Sequence, residues 1–385
     1  MRPAHGVPED TPIGKRSSSL RSVSTLPDDP IEPGLLEAIG RLAPGTELRQ
    51  GIDDIIRSHE GALIVIANPD ELAFMYSGGI RLEQPFTPQL LYELAKMDGA
   101  IVIDERVSRL AYANVQLMPD PTIPSRETGT RHRTAERVAK QTGALVISIS
   151  QQRETVTVFL AHARYQLDPI ATVLAKANQA LAALETYRKR LEQVLTRLTA
   201  LEFQNAVMLD DVLVVLQRAE MTSRMVREVE RDCIELGSEG RLIRAQLDEL
   251  SGTMPESEAA VASDYHASDD PRQALVALER LAALPYESLL EPDTLQELLG
   301  YPRSANPLDT AVSPRGYRAL SQIPRLPSGV IRRVVAEMDG LDAIARASLR
   351  ELESVEGVGS VRAREIKEGL RRLQEHNLVE RYLTM

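Results

Sequence analysis

The sequence predicts a multidomain protein, with an α/β domain built on a mixed central sheet, an all-α helical spacer and a small all-α C-terminal domain. Short apolar runs alternate with helical patterns up to about residue 160, and a leucine stripe with helical spacing follows from Asp168. The segment from Arg318 is helical in pattern but is interrupted by glycine and proline. We expect the three domains to cover residues 31–167, 168–317 and 318–385.

The composition limits the classes of protein to consider. The chain has 385 residues, 43% of them hydrophobic, which is enough for two or three cores. It has one cysteine, Cys233, and no apolar run of membrane-spanning length, so we expect a cytoplasmic protein without disulfides or a membrane partner. Residues 1–30 are rich in serine, proline and charge, which predicts a disordered arm rather than a signal peptide. The net charge of −11 argues against a generic nucleic-acid coat but leaves a local binding patch open.

The first domain contains apolar runs bounded by turn residues, a pattern typical of buried strands. Strands are predicted at residues 63–67, 72–76, 100–104, 110–117, 144–149 and 155–160. Helices are predicted at residues 88–96 and 134–141, and Gly143 ends the second one.

The spacer is predicted from leucines separated by seven, three, seven, four and three residues, which form an a/d stripe on one long helix. These leucines are Leu174, Leu181, Leu184, Leu191, Leu195 and Leu198. Further helices are predicted at residues 210–236 and 242–250, and a loop at residues 251–270. Because polar residues are not clustered here, we interpret the region as structural rather than catalytic.

Asp98, Gly99 and Ala100 directly precede a predicted strand. A carboxylate at the start of a strand can hold a divalent cation or accept a proton, and a glycine lets a ligand approach the backbone closely. Taken alone, the same residues also fit an ordinary Asp-Gly turn.

Residues 129–134 read Gly-Thr-Arg-His-Arg-Thr at the start of a predicted helix. Backbone amides at a helix N-terminus attract phosphate, and the planar guanidinium groups of Arg131 and Arg133 can clamp phosphate oxygens. Thr130 and Thr134 add hydroxyl donors, and Thr134 is a candidate for the helix cap. The alternative is a solvated basic turn; the sequence has neither a Walker loop nor a dinucleotide fingerprint here.

Together, the Asp-Gly-Ala and Arg-His-Arg motifs resemble the two defining motifs of the diadenylate cyclase domain, over roughly residues 34–160. The resemblance implies that Asp98 binds a metal ion, Mg²⁺ or Mn²⁺, and helps to activate a ribose 3′-hydroxyl of ATP. It implies a nucleotide pocket that includes Gly99, Ala100 and Leu117. It implies that the triphosphate is held by Thr130, Arg131, His132, Arg133, Thr134 and Ser150. The catalytic residues would then be Asp98, Arg131, His132 and Arg133.

The C-terminal domain contains a second pattern. Residues 352–359 read Leu-Glu-Ser-Val-Glu-Gly-Val-Gly, followed by Ala363 and Ile366. This matches a helix-hairpin-helix, in which the glycine turn exposes backbone amides to a DNA phosphate without base readout. The candidate DNA-binding residues are Gly357, Gly359, Arg362, Arg364 and Lys367. Residues 323–335 look like a degenerate first copy, and the alternative is a plain helical hairpin with glycine caps.

The order of these parts resembles the DNA-integrity scanning type of diadenylate cyclase along nearly the whole chain. The resemblance implies a homo-octamer that condenses two ATP molecules into cyclic di-AMP and pyrophosphate. It also implies a nucleoid-associated protein whose C-terminal domain binds branched or damaged DNA and thereby lowers cyclase activity. The rival interpretation is a non-catalytic DNA-binding scaffold whose nucleotide site only senses ATP.

Overall fold

The computed structural model describes residues 33–252 and 254–383. The arm predicted for residues 1–30 lies outside these residues. Within them the chain forms the predicted order of an α/β domain, a helical spacer and a small helical domain.

The centre of the first domain is an eight-stranded mixed sheet. Its strands are β1 (Ala62–Ile66), β2 (Tyr76–Ser77), β3 (Ile80–Pro85), β4 (Ala100–Ile103), β5 (Arg109–Leu117), β6 (Leu145–Ser150), β7 (Thr155–Leu160) and β8 (Ala163–Gln166). The strand order is β2-β5-β4-β1-β6-β7-β8, with β3 also paired to β5. The pair β1–β4 is parallel and the other pairs are antiparallel, which confirms the mixed sheet.

Helices cover both faces of this sheet, because side chains alternate between the two faces along each buried strand. They are α1 (Pro33–Arg41), α2 (Glu47–Arg57), α3 (Pro69–Leu72), α4 (Pro88–Ala95) and α5 (Thr130–Thr142). Ile64 of β1 belongs to the core shared with α1, α2 and α4, whereas Val65 belongs to the core shared with α5.

The prediction of a strand at residues 72–76 is wrong. These residues form the end of α3, a 3₁₀ turn and the first residue of β2. The reason lies upstream, where the Asn68 side chain accepts a hydrogen bond from the Asp70 amide and Pro69 occupies the first helical turn. A capping asparagine followed by proline starts a helix, and this local preference prevails over the apolar run that follows.

The spacer is a long antiparallel helix pair with shorter helices packed on it. Its helices are α6 (Ile170–Gln204), α7 (Leu209–Leu236), α8 (Arg241–Ser251), α9 (Met254–Tyr265), α10 (Pro271–Ala282), α11 (Tyr286–Leu289) and α12 (Pro292–Leu298). The leucine stripe of α6 is confirmed by the burial of Leu181, Leu184, Leu191 and Leu198, although Leu174 is 36% exposed. At 35 residues, α6 extends about 52 Å.

The loop predicted at residues 251–270 is also wrong, because α9 occupies most of it. Val261, Ala262 and Tyr265 are buried and pack in the spacer core. Their spacing is that of one helix face, a signal that the many acidic and serine residues around it obscure.

The C-terminal domain has its own small core. Its helices are α13 (Tyr317–Ser321), α14 (Ser328–Glu337), α15 (Gly340–Arg346), α16 (Leu349–Ser354) and α17 (Ser360–Leu383). Leu320, Val334, Ile344, Leu352 and Ile366 are fully buried in this core. Among the described residues, no helix combines the length and apolar character needed to span a membrane.

Buried carboxylates join the spacer to the domain on each side of it. Glu235 of α7 accepts hydrogen bonds from the Tyr165 hydroxyl at 2.6 Å and the Asp168 amide at 3.2 Å. Glu202, near the C-terminal end of α6, forms a buried ion pair with Arg318 of α13. Because an unpaired buried charge is costly, each joint depends on both of its partners.

Candidate functional site

The start of β1 brings together residues that are far apart in sequence. Strand β1 runs parallel to β4 and antiparallel to β6, in a register that places Gly61 between Asp98 and Ser150. Neighbouring strands lie about 4.8 Å apart, so Asp98 and Ser150 meet the same sheet edge within roughly 10 Å of each other. The sheet therefore places two of the predicted site residues on either side of a glycine that the sequence had not singled out.

Gly99 is required by its backbone conformation and by the closeness of β5. Its φ is +92°, and an added Cβ would lie 2.9 Å from the carbonyl carbon of Asn114 and 3.0 Å from the amide of Val115. Ala100 is fully buried in β4, and Leu117, at the end of β5, is 7% exposed. Since β4 and β5 are antiparallel, Leu117 lies at the same edge of the sheet as Gly99.

Asp98 is exposed and makes no hydrogen bond or ion pair with the part of the chain that the structure describes. Its carboxylate is therefore open to an external ligand. Mg²⁺ is commonly held by one or two carboxylates together with substrate phosphates and water. A single free carboxylate at this edge of the sheet fits that chemistry.

The helix of the Arg-His-Arg motif begins earlier than predicted. Helix α5 starts at Thr130, and Gly129, in extended conformation with φ −78° and ψ 144°, is its N-cap residue. Thr134 lies inside the helix, so the prediction that it caps the helix is wrong. Gly129 offers no side chain to the first amides, and these remain available to an anion, as expected at a helix N-terminus.

Arg131 lies directly against Gly61 at the start of β1. A Cβ on Gly61 would overlap Nη1 of Arg131, and it would lie 3.3 Å from Cζ of the same guanidinium and 3.2 Å from the Ile149 carbonyl oxygen. The guanidinium of Arg131 can therefore pack at this position only because Gly61 has no side chain. Asp98 and Arg131, which are separated by more than thirty residues in sequence, consequently both lie next to Gly61.

His132 faces the sheet rather than the solvent. Its Nδ1 lies 3.2 Å from the Ser148 hydroxyl, and its ring packs edge-on against Phe159 with ring centroids 6.4 Å apart. Burial lowers the pKa of His132 below its ordinary value, and Arg164 and nearby arginines lower it further, against the opposing effect of Glu127. We therefore expect a neutral imidazole at neutral pH, which orients the start of α5 rather than adding charge.

The remaining members of the predicted phosphate site differ in their surroundings. Thr130 and Arg133 are exposed, and Thr134 is half-buried. Among the described residues, the guanidinium of Arg133 makes only long contacts of 3.4 Å, with two carbonyl oxygens of the preceding loop, which leaves it free to turn towards a ligand. The Ser150 hydroxyl accepts a hydrogen bond of 3.3 Å from the Arg153 amide.

The structure also places residues here that sequence reasoning missed. Arg153, in the β6–β7 turn, and Arg164, on β8, both act on His132 electrostatically, and Arg164 pairs with Glu127 at 2.6 Å. Together with Arg131 and Arg133 they bring four guanidinium groups to this corner of the domain, one of which is paired with Glu127. No local motif marks Arg153 or Arg164, because only the pairing of β6, β7 and β8 brings them near α5.

The glycine turn of the C-terminal domain lies between α16 and α17, as the sequence predicts. Gly357 has φ +83°, and its carbonyl oxygen accepts a hydrogen bond of 2.6 Å from Nη1 of Arg362. An added Cβ on Gly359 would meet nothing within 4 Å, so the backbone just before α17 is open. These are the features that a DNA phosphate needs at a helix N-terminus.

The predicted DNA contacts Arg364 and Lys367 differ in whether their side chains are already bonded within the domain. Arg364 is exposed, whereas the Lys367 ammonium donates a hydrogen bond of 2.7 Å to the Ala345 carbonyl oxygen at the end of α15. A DNA contact by Lys367 stays a prediction, and it would have to compete with this bond. The hairpin residues belong to a different hydrophobic core from the nucleotide site, so the structure does not bring the two predicted sites together.

Comparison with known proteins identifies both larger parts of the chain. The family model described as DisA bacterial checkpoint controller nucleotide-binding matches residues 49–163. The model described as DisA bacterial checkpoint controller linker region matches residues 167–308. The first match contains the whole sheet edge described above.

Curated relatives match over nearly their full length. The DNA integrity scanning protein DisA of Symbiobacterium thermophilum is 47% identical over 91% of this chain and 99% of its own. That of Carboxydothermus hydrogenoformans is 48% identical over 88% of this chain and 96% of its own. That of Bacillus subtilis is 46% identical over 89% of this chain and 94% of its own. With such identity across all three parts, the chain belongs to the family of DNA integrity scanning proteins DisA.

Proposed function

We propose that this protein is a diadenylate cyclase, which condenses two molecules of ATP into cyclic di-AMP and releases two molecules of pyrophosphate. The observation that carries the proposal is that Asp98 and Arg131 both lie next to Gly61, just before β1, Asp98 in register beside it and Arg131 over it, at the open N-terminus of α5. The match of residues 49–163 to a nucleotide-binding family supports it.

The reaction joins two nucleotides through reciprocal substitutions. The 3′-oxygen of each ATP attacks the α-phosphorus of the other, a new P–O bond forms, and the bond to the β-phosphate breaks. Pyrophosphate carries the electron pair away, and the proton of the 3′-hydroxyl passes to Asp98 or to water. The charge of the triphosphate is met by Arg131, Arg133 and the first amides of α5, since preorganised donors stabilise the charge that develops.

Asp98 would hold a divalent cation, Mg²⁺ or Mn²⁺, which supplies charge neutralisation on the phosphates when bound. His132, kept neutral and bonded to Ser148, would fix the orientation of Arg131 and Arg133 on α5. Leu117 and Gly99 would contact the nucleoside, and Ala100, which is fully buried, would support them from beneath. In this arrangement the chain positions the reactants and contributes no covalent intermediate.

Turnover requires more than one copy of the chain. Each α/β domain binds one ATP and so contains half of the reacting atoms, which means that two domains must face each other. The octamer that the family resemblance implies would supply such pairs.

The C-terminal hairpins would bind branched DNA through phosphates and so lower cyclase activity. The joints at Glu235 and Glu202 connect the DNA-binding domain to the α/β domain through the α6–α7 pair. A DNA-induced change in the arrangement of the C-terminal domains would then alter how the α/β domains face each other, which is the differential contact that such coupling requires.

The decisive experiment incubates the purified full-length chain with ATP and Mg²⁺ or Mn²⁺ and follows nucleotide products by chromatography and mass spectrometry. We expect cyclic di-AMP from the wild type and almost none from Arg131→Ala. ATP binding without any cyclic product would instead support the non-catalytic scaffold.

DNA coupling is tested in the same assay with a four-way junction. The junction should inhibit the wild type and should not inhibit the full-length double variant Arg362→Glu, Arg364→Glu. Point variants are preferable to removal of the domain, because truncation at Arg318 leaves the buried Glu202 without its partner. Equal inhibition of both proteins would mean that the DNA acts by removing metal or by competing for the ATP site.

A further inference from the structure

The two hairpins of the C-terminal domain share one backbone turn although their sequences differ. In the first, the Leu326 amide donates to the Ile323 carbonyl at 3.4 Å; in the second, the Val358 amide donates to the Val355 carbonyl at 3.0 Å. The helix after each turn begins at the same point, Ser328 in one and Ser360 in the other. The matching hydrogen bonds and helix starts make Arg325 the counterpart of Gly357, and Pro327 the counterpart of Gly359.

Arg325 holds a backbone conformation that suits glycine. Its φ is +64°, against +83° for Gly357, and side chains with a Cβ disfavour this region. The side chain is exposed and makes no hydrogen bond or ion pair within the described residues. Pairing with the described part of the chain therefore does not explain why an arginine stands at a position where glycine would relieve strain.

Pro327 changes the chemistry of the first turn as well. Proline has no N–H, so the first hairpin lacks the amide that Gly359 offers just before α17 in the second hairpin. The first hairpin therefore offers a phosphate one backbone amide fewer than the second. The guanidinium of Arg325, two residues before the proline, is an exposed group of suitable charge in this turn.

The first hairpin also supplies a cation to the second turn. A Cβ on Gly357 would lie 2.6 Å from Nη2 of Arg333, a residue of α14, so this guanidinium rests on the glycine turn. The two hairpins are thus close together, and the turn of the second is flanked by Arg333 and Arg362.

From these contacts we infer that the two hairpins bind the DNA backbone by different means. The second uses the amides at Gly359 and the start of α17, with Arg333 and Arg362 beside them. The first uses the side chain of Arg325, which the left-handed turn holds away from the domain core. This inference rests on the proposed DNA-binding function and names side chains, Arg325 and Arg333, that the glycine motif does not include.

The test compares full-length wild type with Arg325→Gly and Arg325→Asn, since both replacements tolerate a positive φ. Binding to a fluorescent four-way junction is measured by anisotropy at several salt concentrations. Each variant should bind roughly five- to tenfold more weakly, and the slope of log affinity against log salt should fall by about 0.9, the value for one lost phosphate contact. Thermal melts should stay unchanged or rise, because the strained arginine has been removed.

Arg371→Gln is the matched control, because it removes the same charge from an exposed site on α17 where the arginine pairs with Glu375 at 3.8 Å. Its affinity and salt slope should equal those of the wild type. Wild-type affinity in both Arg325 variants, with DNA still bound, would overturn this inference and leave the proposed DNA binding intact. Equal weakening by Arg371→Gln would also overturn it, because the effect would then be one of overall charge. If the wild type itself does not bind DNA, it is the proposed function that fails.

Discussion

Gly61 offers a way to displace Arg131 without changing any charged residue. A Cβ at this position would overlap Nη1 of Arg131 and touch the Ile149 carbonyl at 3.2 Å. Ordinary contacts between heavy atoms begin near 3.5 Å, so in Gly61→Ala the guanidinium must shift by roughly 1 Å. Since the obstacle is the end of a flexible side chain, the fold can adapt at small cost.

The expected loss is one of catalysis rather than of stability. A misplacement of about 1 Å can reduce turnover by up to about 100-fold, which corresponds to about 2.8 kcal/mol in the activation free energy. We therefore expect Gly61→Ala to produce cyclic di-AMP about 10- to 100-fold more slowly, with a higher ATP requirement. The assay is initial-rate product formation over a range of ATP concentrations, with a thermal melt of the same preparation.

The matched control is Gly40→Ala, which adds the same methyl group on α1, 3.4 Å from the Ile234 side chain and away from Arg131. It should keep wild-type turnover. If Gly61→Ala folds normally and cyclises ATP at the wild-type rate, Arg131 does not act from its place on Gly61. If Gly61→Ala instead loses thermal stability together with activity, the loss comes from the tight contact with the Ile149 carbonyl. The assignment of Arg131 then loses its support.

Three further predictions concern single residues. Asp98→Asn should reduce product at least about 100-fold and leave the thermal melt unchanged, because the carboxylate is exposed and unpaired among the described residues; wild-type turnover at saturating metal would refute the metal role. The fold lowers the pKa of His132, so this residue contributes to stability above about pH 6.5, and the contribution is lost as the pH falls below that value. Between pH 8 and pH 5.5, the melting temperature should therefore drop more for the wild type than for His132→Gln. Glu202→Gln should reduce the free energy of unfolding by about 3 kcal/mol in denaturant titrations, because the buried Arg318 loses its charged partner. The side chain of Arg318 is 4% exposed and that of Glu202 is 1% exposed. The control Glu368→Gln, in an exposed ion pair, should change this free energy little.

The elements that the sequence predicted well are those whose local pattern is strong. The strand at Thr155–Leu160 has the predicted bounds, and the leucine stripe of α6 reappears as buried side chains on one helix. The glycine turn between α16 and α17 lies where the Gly-Val-Gly pattern puts it. The predictions at residues 72–76 and 251–270 failed because two local signals conflict there. At residues 72–76 an apolar run predicts a strand, but the cap just before it starts a helix. At residues 251–270 the polar composition predicts a loop, but a few apolar residues form one face of a helix.

Only some residues of the candidate nucleotide site could be predicted from the sequence. The two motifs indicate the residue types that bind a metal and a triphosphate, because carboxylate, guanidinium and glycine have few equivalents for that chemistry. They do not show Gly61, whose role arises because β1 lies between β4 and β6 and because α5 lays Arg131 across its start. They do not show Arg153 or Arg164 either, since those residues meet His132 only through the pairing of β6, β7 and β8.

The sequence by itself determined the order of the domains, the two site motifs and the glycine hairpin, since each depends on residue types within a short segment. The tertiary structure decided which residues share an edge of the sheet, where α5 begins, how the spacer is joined at Glu235 and Glu202, and that Arg325 adopts a glycine conformation. The physical reason is that strand register, buried ion pairs and the φ angle of a turn depend on contacts between segments far apart in the chain, and a pattern within one segment carries no information on its distant partners.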